Sequence, residues 1–266
     1  MNSKIRLGIL GGGGDSLIGV LHRVASSMFD QFQIIGGVFN PNWEENIEFA
    51  EKIGIPTNRI YKDFDTLMEE ELKLPEDSRM QVVSILTPNF LHFPMANKLL
   101  ENGFHVICEK PMTTTYEEAK ILNQTLKLAK TVFAVTYTYT GYPMVRQMRE
   151  MILNGELGNI QKIDAQYYQG WINPIIHDKE KRSSTWRLNP KKSGISCCIG
   201  DIGTHAFAML EYVSGHKIKS VLADLNYVYS DNKMDIDGTV LLRCNNNVKG
   251  VICTSQIATG EENSFI

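Results

Sequence analysis

A chain of 266 residues, 43% of them hydrophobic and 21% charged, has enough apolar mass for one or two ordinary globular cores. Its formal net charge of -3, without a polybasic stretch, excludes the usual electrostatic basis for binding nucleic acid or an anionic membrane. The residues before Gly11 form neither a signal peptide nor a membrane span, so we expect a cytoplasmic protein.

The cysteines predict neither disulfides nor a zinc site. Their number is odd, and they show no C-x-x-C pair and no regular ladder of spacings. Disulfide frameworks and structural zinc sites depend on such spacings. We therefore expect no bound metal, and reduced thiols that mostly serve packing, at Cys108, Cys197, Cys198, Cys244 and Cys253.

Residues 4–136 alternate short apolar runs with amphipathic stretches, the pattern of strand-helix-strand units on a parallel sheet. The runs are short and rich in aliphatic residues, as strands buried on both faces must be. The predicted strands are Ile5–Leu10, Ile34–Phe39, Val82–Leu86, Val106–Ile107 and Val132–Val135. The predicted helices between them include Glu44–Ile53, Leu91–Glu101 and Glu117–Leu128. A Thr-x-x-Glu capping box that starts at Thr114 or Thr115 would begin the last helix.

The first strand runs directly into a glycine-rich turn over residues 11–19, and a helix follows through Met28. Glycines let the backbone approach a pyrophosphate, whose charge the amides at the helix start then stabilise. In this setting the turn predicts a dinucleotide site, with a flexible loop as the alternative. The third fingerprint position falls on Ser16, or on Gly19 if the turn is longer than usual. The candidate contacts are Gly11, Gly13, Gly14, Asp15 and Ser16.

The position that usually distinguishes NAD from NADP holds an uncharged residue. An acid that binds the ribose hydroxyls is expected at the end of the second strand, whereas this chain has Asn40 before Pro41. No arginine or lysine stands there to bind a 2′-phosphate. The sequence favours NAD and leaves NADP open, with Asn40 as a ribose contact or a simple turn residue.

After Thr136 the pattern changes to that of an α+β domain with a mostly antiparallel sheet. The predicted elements are a helix Pro143–Leu153, a strand Ile160–Tyr168, a helix Asp201–Val213, and strands Ile218–Tyr229, Gly238–Arg243 and Val248–Thr254. The polar, aromatic-rich stretch from Trp171 to Ser193 is too long for a simple connection, so we expect a functional loop. We predict an α/β protein: a doubly wound Rossmann domain over residues 1–136, and an α+β domain over residues 137–266.

Further motifs occur in order along the chain: Thr87-Pro88-Asn89-x-x-His92, Glu109-Lys110-Pro111, Trp186-Arg187, and Gly200-Asp201-Ile202-Gly203-Thr204-His205. Together they resemble the motifs of the Gfo/Idh/MocA family of oxidoreductases, over nearly the whole chain. The resemblance implies a Rossmann domain followed by a mostly antiparallel C-terminal domain, and oxidation of a sugar, polyol or related hydroxy compound. It also implies that residues 137–266 bind the substrate and mediate oligomerisation, with a dimer or a tetramer as the homo-oligomer.

The resemblance implies catalytic roles that the residue chemistry supports. Lys110 follows a parallel strand at its carboxyl end, where an ammonium can stabilise a developing alkoxide. Pro111 matches a position often preceded by a cis bond in the family. Asp201 and His205 would share a helix face, with His205 as general base and Asp201 as its partner. The alternatives are a solvated lysine, an N-cap aspartate and a core histidine.

The resemblance also implies binding contacts in both halves of the chain. Expected cofactor contacts are Thr87, Asn89, His92, Glu109 and Lys110, with a helix cap as the alternative for Asn89. Aromatic faces and planar donors suit a polyhydroxylated ring, so the expected substrate contacts are Tyr137, Tyr139, Tyr142, Trp171, Trp186 and Arg187. The chain departs from the family at Thr140, where an arginine is common, and at residues 195–198, where glycines are usual. Both departures border the expected substrate site.

We predict hydride transfer between a substrate carbinol carbon and the nicotinamide ring, with His205 taking the hydroxyl proton and Lys110 stabilising charge on the oxygen. One alternative is NAD-assisted elimination or glycoside cleavage, in which the cofactor is regenerated. Another is a dinucleotide-sensing regulator without catalysis, which the intact Lys110, Asp201 and His205 disfavour.

The end of the chain carries a further expectation. Residues 255–263 resemble a strand and turn that lead on to more sheet in the family. An antiparallel sheet cut there would expose an unpaired edge and an apolar face. We expect that the 266 residues either form an oligomer that covers this surface or are less than the complete natural product.

Overall fold

The computed structural model describes residues 4–227 and 234–260, and the chain divides into two compact units after Thr136. In the first unit, a parallel sheet has the strand order β2-β1-β3-β4-β5. Its elements are β1 (Ile5–Gly11), α1 (Leu17–Ser27), β2 (Phe32–Val38), α2 (Trp43–Lys52), α3 (Phe64–Lys73), β3 (Val82–Leu86), α4 (His92–Glu101), β4 (His105–Cys108), α5 (Tyr116–Leu128) and β5 (Phe133–Val135). The Rossmann prediction is confirmed.

Alternate residues of β1 pack into different cores, because successive side chains of a strand point to opposite faces. Ile9 packs with Leu7 and Phe39, whereas Leu10 packs with Leu67 and Ile85. Both faces of the sheet are therefore apolar, which explains why its strands read as continuous aliphatic runs.

The prediction omitted α3. Glu71 lies on the inner face of this helix and is fully buried, which interrupts the apolar spacing that a sequence pattern detects. Its carboxylate pairs with Arg59, accepts a hydrogen bond from Tyr61 and accepts one from the Met80 backbone. A buried charge is tolerated there because all of these partners satisfy it.

The capping box of α5 starts at Thr115 and not at Thr114. The Thr115 hydroxyl accepts the Glu118 backbone N–H at 3.2 Å, and the Glu118 carboxylate accepts the Thr115 N–H at 3.1 Å. Two donors that the helix itself cannot satisfy are thereby paired.

The second unit contains a sheet of order β6-β9-β8-β7, in which β6 and β9 are parallel and the other pairs antiparallel. Its elements are α6 (Pro143–Leu153), β6 (Lys162–Tyr168), α7 (Lys179–Ser184), α8 (Pro190–Ser193), a π-helical turn (Ile199–Gly203), α9 (Thr204–Ser214), β7 (Ile218–Asn226), β8 (Asp237–Cys244) and β9 (Lys249–Ser255). Ala206 and Leu210 of α9 pack on the sheet against Val240 and Ile252. The mostly antiparallel α+β prediction is confirmed.

Four predictions in this unit need correction or extend outside the described residues. The stretch from Trp171 to Ser193, expected to be a functional loop, contains the short helices α7 and α8. Asp201 lies in the π-helical turn before α9, so the predicted helix is not one regular α-helix. The end of the predicted strand Ile218–Tyr229 and residues 261–263 lie outside the described part of the chain.

Across residues 4–227 and 234–260, every helix is too short or too polar to cross a bilayer. All five cysteines are free thiols, in agreement with the prediction.

Candidate active site

The glycine turn after β1 leaves no room for a side chain at Gly11, Gly12 or Gly13. Gly11 and Gly12 have φ values of 84° and 70°, in the left-handed region that favours glycine. The Gly13 N–H donates to the Phe39 carbonyl at 3.0 Å, and a Cβ at Gly13 would lie 2.6 Å from that oxygen. The turn is therefore held tightly against the end of β2.

The close approach between the turn and α1 occurs at Gly19 and not at Ser16. A Cβ on Gly19 would lie 2.6 Å from the Gly12 carbonyl carbon and closer still to its oxygen. Ser16 instead caps α1, and its hydroxyl accepts the Gly19 N–H at 3.1 Å. The turn is the longer form of the fingerprint, because Gly19 fills the helix-packing position.

The outer side of the turn fits a dinucleotide pyrophosphate. Gly14 and Asp15 are exposed, and a Cβ at Gly14 would meet no atom within 4 Å. The first turn of α1 carries no acidic residue that would repel an anion. Open space beside free amides at the positive end of a helix dipole is where a phosphate is stabilised.

At the end of β2, Asn40 is tied into the local turn. Its Oδ1 accepts the Asn42 N–H at 2.9 Å, and its Nδ2 donates to Glu45 Oε2 at 2.7 Å. Asn40 is thus a turn residue in this structure, which leaves its role as a ribose contact a prediction. The Glu45 carboxylate beside it was not predicted from the sequence. The only sequence signal for Glu45 is its place in the first turn of α2.

Glu109, at the end of β4, belongs to a polar network within the first unit. Its carboxylate accepts from Thr136 Oγ1 at 2.6 Å and bonds His22 Nε2 at 3.0 Å, while His22 Nδ1 bonds Ser84 Oγ at 3.0 Å. Burial raises the pKa of Glu109, but the hydrogen bonds and the charges of His22 and Lys110 outweigh it and lower the pKa below its ordinary value. Sequence reasoning missed His22, which stands three residues after Gly19.

Lys110 comes next and is half-buried, and a cis peptide bond precedes Pro111, as the resemblance implied. The Lys110 backbone N–H donates to Glu109 Oε2 at 3.3 Å. The network around Glu109 therefore holds the backbone from which the lysine side chain extends.

His92 connects the loop after β3 to the segment after β4. Its Nδ1 lies 2.7 Å from the Pro111 carbonyl and its Nε2 lies 2.7 Å from the Thr87 carbonyl, and the ring is buried. Burial lowers the pKa of His92, and hydrogen bonds to the two carbonyls partly oppose that shift. Both ring nitrogens thus face protein backbone, which joins the Thr87 loop to Pro111. Asn89 is also buried and begins a short 3₁₀ turn.

The candidate residues of the first unit meet at one edge of the sheet. Gly11 pairs in register with Leu86, so the glycine turn and Thr87 follow neighbouring strands. Lys110 follows β4, the next strand in the sheet. Ligands of open α/β sheets bind at the carboxyl ends of the strands, where the strand order reverses.

In the second unit, Asp201 sits in the π-helical turn with described partners on one carboxylate oxygen. Gln256 Nε2 donates to Asp201 Oδ2 at 3.0 Å, and Arg187 Nε lies 3.6 Å from the same oxygen. Single π-helical turns are common at functional sites. Sequence reasoning missed Gln256, which stands 55 positions beyond Asp201.

His205 is enclosed by tyrosine rings and is only 7% exposed. Its ring centroid lies 4.9 Å from that of Tyr139, 5.8 Å from Tyr137 and 6.0 Å from Tyr167. The Tyr139 and Tyr167 hydroxyls are 2.6 Å apart. Burial raises the pKa of both Tyr137 and Tyr167, so these phenols stay neutral. Tyr167 was not predicted as a site residue, because its place in the predicted strand Ile160–Tyr168 was a sufficient reason for a tyrosine there.

Of the remaining substrate candidates, Tyr142, Trp186 and Arg187 lie near Tyr139 or Asp201, whereas Trp171 lies in an apolar cluster. Tyr142 is exposed and its ring meets Tyr139 edge-on at 5.7 Å. The Arg187 guanidinium lies 4.5 Å over the Trp186 ring, beside Asp201. Trp171 packs in an apolar cluster with Ile172 and Leu188, so packing accounts for it. Among the described residues no group of three or more His, Cys, Asp or Glu side chains is arranged to hold a metal ion.

Two family models match this chain. One, described as an oxidoreductase family with an NAD-binding Rossmann fold (GFO_IDH_MocA), matches residues 5–137. The other, described as the GFO/IDH/MocA C-terminal domain, matches residues 145–266. Together they cover nearly the whole sequence.

Individual relatives agree with these matches. The uncharacterized oxidoreductase YfiI of Bacillus subtilis is 32% identical over 98% of this chain and 66% of its own length. Levoglucosan dehydrogenase of Pseudarthrobacter phenanthrenivorans is 28% identical over 80% of this chain and 52% of its own length. The crystal structure of an inositol dehydrogenase homolog complexed with NAD+ from Azotobacter vinelandii superposes with a TM-score of 0.91 at 32% identity, over 100% of this chain and 68% of that chain. The chain thus spans about two thirds or less of the length of these curated relatives.

Proposed function

Because this chain belongs to the Gfo/Idh/MocA family of oxidoreductases, we propose that it is an NAD-dependent dehydrogenase of a sugar, polyol or related hydroxy compound. The observation that carries the proposal is the carboxyl edge of the parallel sheet. There the glycine turn, Thr87 and Lys110 follow the adjacent strands β1, β3 and β4. One relative is a levoglucosan dehydrogenase, and a solved structure of the inositol dehydrogenase homolog is complexed with NADH and myo-inositol, which supports the substrate class.

The bound nicotinamide would accept or supply the hydride. The chain's own residues hold and move the proton: His205 takes it from the substrate hydroxyl, and Asp201 stabilises the imidazolium that forms. The Lys110 ammonium stabilises negative charge on the substrate oxygen. The tyrosine rings around His205 restrict water at the base, and Tyr142 and Trp186 offer aromatic faces to a polyhydroxylated ring.

A panel of sugars, polyols and inositols, assayed for reduced cofactor by its absorbance, tests the proposal. We expect NAD reduction with at least one member, and none with an Asp201→Asn, His205→Ala double variant. Binding of NAD without reduction by any compound would contradict a dehydrogenase. Conversion of a substrate without net reduced cofactor would instead indicate elimination or glycoside cleavage.

We propose further that Glu45 makes the site selective for NAD. Its carboxylate, held by Asn40 at the end of β2, offers an acceptor to ribose hydroxyls and repels a 2′-phosphate. We expect NAD to bind more tightly than NADP, and Glu45→Gln to narrow that preference by about tenfold, since a unit charge at close range changes binding by roughly 1 kcal/mol or more. Calorimetric titration with both dinucleotides measures this.

Glu48→Gln is the matched control for Glu45→Gln, because Glu48 is exposed on the same helix and removal of its charge leaves the end of β2 unchanged. The wild-type preference should persist in this variant. NADP binding more tightly than NAD in the wild type, or an unchanged ratio in Glu45→Gln, would refute the assignment.

We propose a homo-oligomer that covers the outer face of the second sheet. Leu222 of β7 and its cross-strand neighbour Leu241 of β8 are both exposed. Paired exposed leucines on a sheet favour association. We expect light scattering to give a multiple of 30.0 kDa, and Leu222→Asp to reduce it. A wild-type monomer would contradict the proposal.

We also propose a cytoplasmic location. The five cysteines are free thiols, and four of them are buried. Reduced thiols of this kind are typical of the cytoplasm, whereas secreted proteins of an oxidising compartment usually pair them.

A further inference from the structure

Gln256 follows β9 and is a fully buried polar residue that the proposed chemistry does not use. Its backbone N–H donates to the Ile236 carbonyl at 2.9 Å, and its carbonyl accepts the Ile172 N–H at 3.2 Å. The base of the side chain is therefore fixed from two directions.

The two ends of the Gln256 amide face different partners. Cys197 Sγ donates to Oε1 at 3.0 Å, and Nε2 donates to Asp201 Oδ2 at 3.0 Å. A thiol can donate to an amide oxygen, and a carboxylate only accepts, so both neighbours require the same orientation of the amide. Burial raises the pKa of Cys197, which keeps the thiol protonated and able to donate.

The π-helical turn that carries Asp201 has an anchor of its own. The buried Asp235 accepts the Cys197 N–H at 2.9 Å through Oδ1 and the Ile199 N–H at 2.8 Å through Oδ2. Asp235 thus fixes the backbone that leads into the turn, whereas Gln256 fixes the Asp201 carboxylate. These are separate tasks performed by separate side chains.

Arg187 is a second partner of the Asp201 carboxylate. Its Nε lies 3.6 Å from Oδ2, and its side chain is 42% exposed, against 20% for Asp201. Water and salt screen a partly exposed pair at that distance. The shorter bond from a fully buried amide is the stronger constraint on the direction of the carboxylate.

We propose that Gln256 is a positioning residue for Asp201, with Cys197 setting the orientation of its amide. The inference rests on the proposed function, in which Asp201 partners the base His205. The Gln256 N–H group stabilises the ionised carboxylate and fixes Oδ2.

Gln256→Glu tests this most directly, because it keeps the shape and replaces the donor by a second carboxylate. Like charges at this distance disfavour ionisation of both, so the acid limb of the kcat profile should move to higher pH by about one unit. We expect kcat to fall by roughly tenfold or more with little change in KM, since positioning acts in the transition state. Gln256→Leu should also lower kcat, and Cys197→Ser, which keeps a donor, should stay near the wild type.

Two ionisable groups close to this carboxylate stay neutral through the neutral range. Burial raises the pKa of both Cys197 and Tyr167 above its ordinary value. The Asp235 carboxylate is bonded to two backbone N–H groups, which none of these substitutions removes. A moved acid limb would thus report on Asp201 and His205.

A carboxyl-carbon NMR titration gives a second readout that does not depend on activity. The Asp201 signal, assigned through Asp201→Asn, should titrate at higher pH by about one unit in Gln256→Glu and by a smaller amount in Cys197→Ala. Gln161→Glu, at an exposed position of the same unit, should leave it unchanged. If the wild type oxidises no compound, the proposed function fails while this titration still tests the positioning role. An Asp201 signal that does not move in either variant would overturn the inference.

Discussion

Replacing Lys110 or His205 with alanine should lower turnover by roughly 10²–10⁴-fold, while NAD binding is retained. Removal of a charge stabiliser or a general base acts mainly on the transition state, and effects of that size are typical. Lys110 is attached to a backbone that Glu109 holds, and His205 is packed among tyrosine rings, so each side chain starts from a defined position. Steady-state kinetics and calorimetric titration with NAD measure the two effects separately.

Matched controls for these variants come from the same units. Lys127→Ala removes an exposed lysine of α5, and His177→Ala removes an exposed histidine of the second unit. Both should keep turnover within about twofold of wild type, as surface substitutions usually change little. Near-normal turnover in Lys110→Ala or His205→Ala would remove the corresponding role from the mechanism.

Helices and strands of both units could be predicted from the sequence where a single physical requirement determines which residues occur. Buried parallel strands need continuous aliphatic runs, and Val82–Leu86 has the bounds that were predicted. Proline at the first position and Asn154-Gly155 at the end delimit α6, which also matches its prediction. In these segments local propensity and tertiary burial require the same residues.

Prediction from the sequence failed where a side chain distant in the chain determines the local structure. Glu71 occupies a buried position of α3 that would otherwise be apolar, because Arg59 and the Met80 backbone, outside the helix, satisfy its carboxylate. The apolar spacing typical of a helix is therefore interrupted. The π-helical turn at Asp201 was also not predicted, since its start at Ile199 is fixed by Asp235, 36 positions later in the chain. No periodicity within a segment carries information about a partner so far away.

The candidate site shows the same division. Lys110, Asp201, Glu109 and Asn40 were proposed from spacing and resemblance. Their hydrogen-bonding neighbours were not: His22 bonds Glu109, Glu45 bonds Asn40 and Gln256 bonds Asp201. A residue of this kind is recognised by the atom to which it is hydrogen-bonded. Histidine, glutamate and glutamine occur throughout any sequence, so the residue type alone does not predict such a bond, and only the structure shows it.

Gly19→Ala should abolish tight dinucleotide binding, with a loss of about a hundredfold or more in affinity. The added methyl would lie 2.6 Å from the Gly12 carbonyl carbon and 2.7 Å from the Gly12 Cα, both backbone atoms that cannot rotate away. Either α1 or the glycine turn must therefore move, and the amides that face the pyrophosphate move with it. Overpacking of this kind also costs about 1–3 kcal/mol of stability.

Ser16→Ala and Gly141→Ala separate this effect from general damage. Ser16→Ala removes the N-cap of α1, which costs about 1 kcal/mol, and should change NAD affinity far less than Gly19→Ala. Gly141→Ala adds the same methyl in the second unit, where no atom lies within 4 Å, and should alter neither stability nor affinity. Calorimetry with NAD and thermal unfolding of the variants decide between the two fingerprint positions. If Ser16→Ala proved the more damaging, the third position would return to Ser16 and the close packing at Gly19 would be only structural.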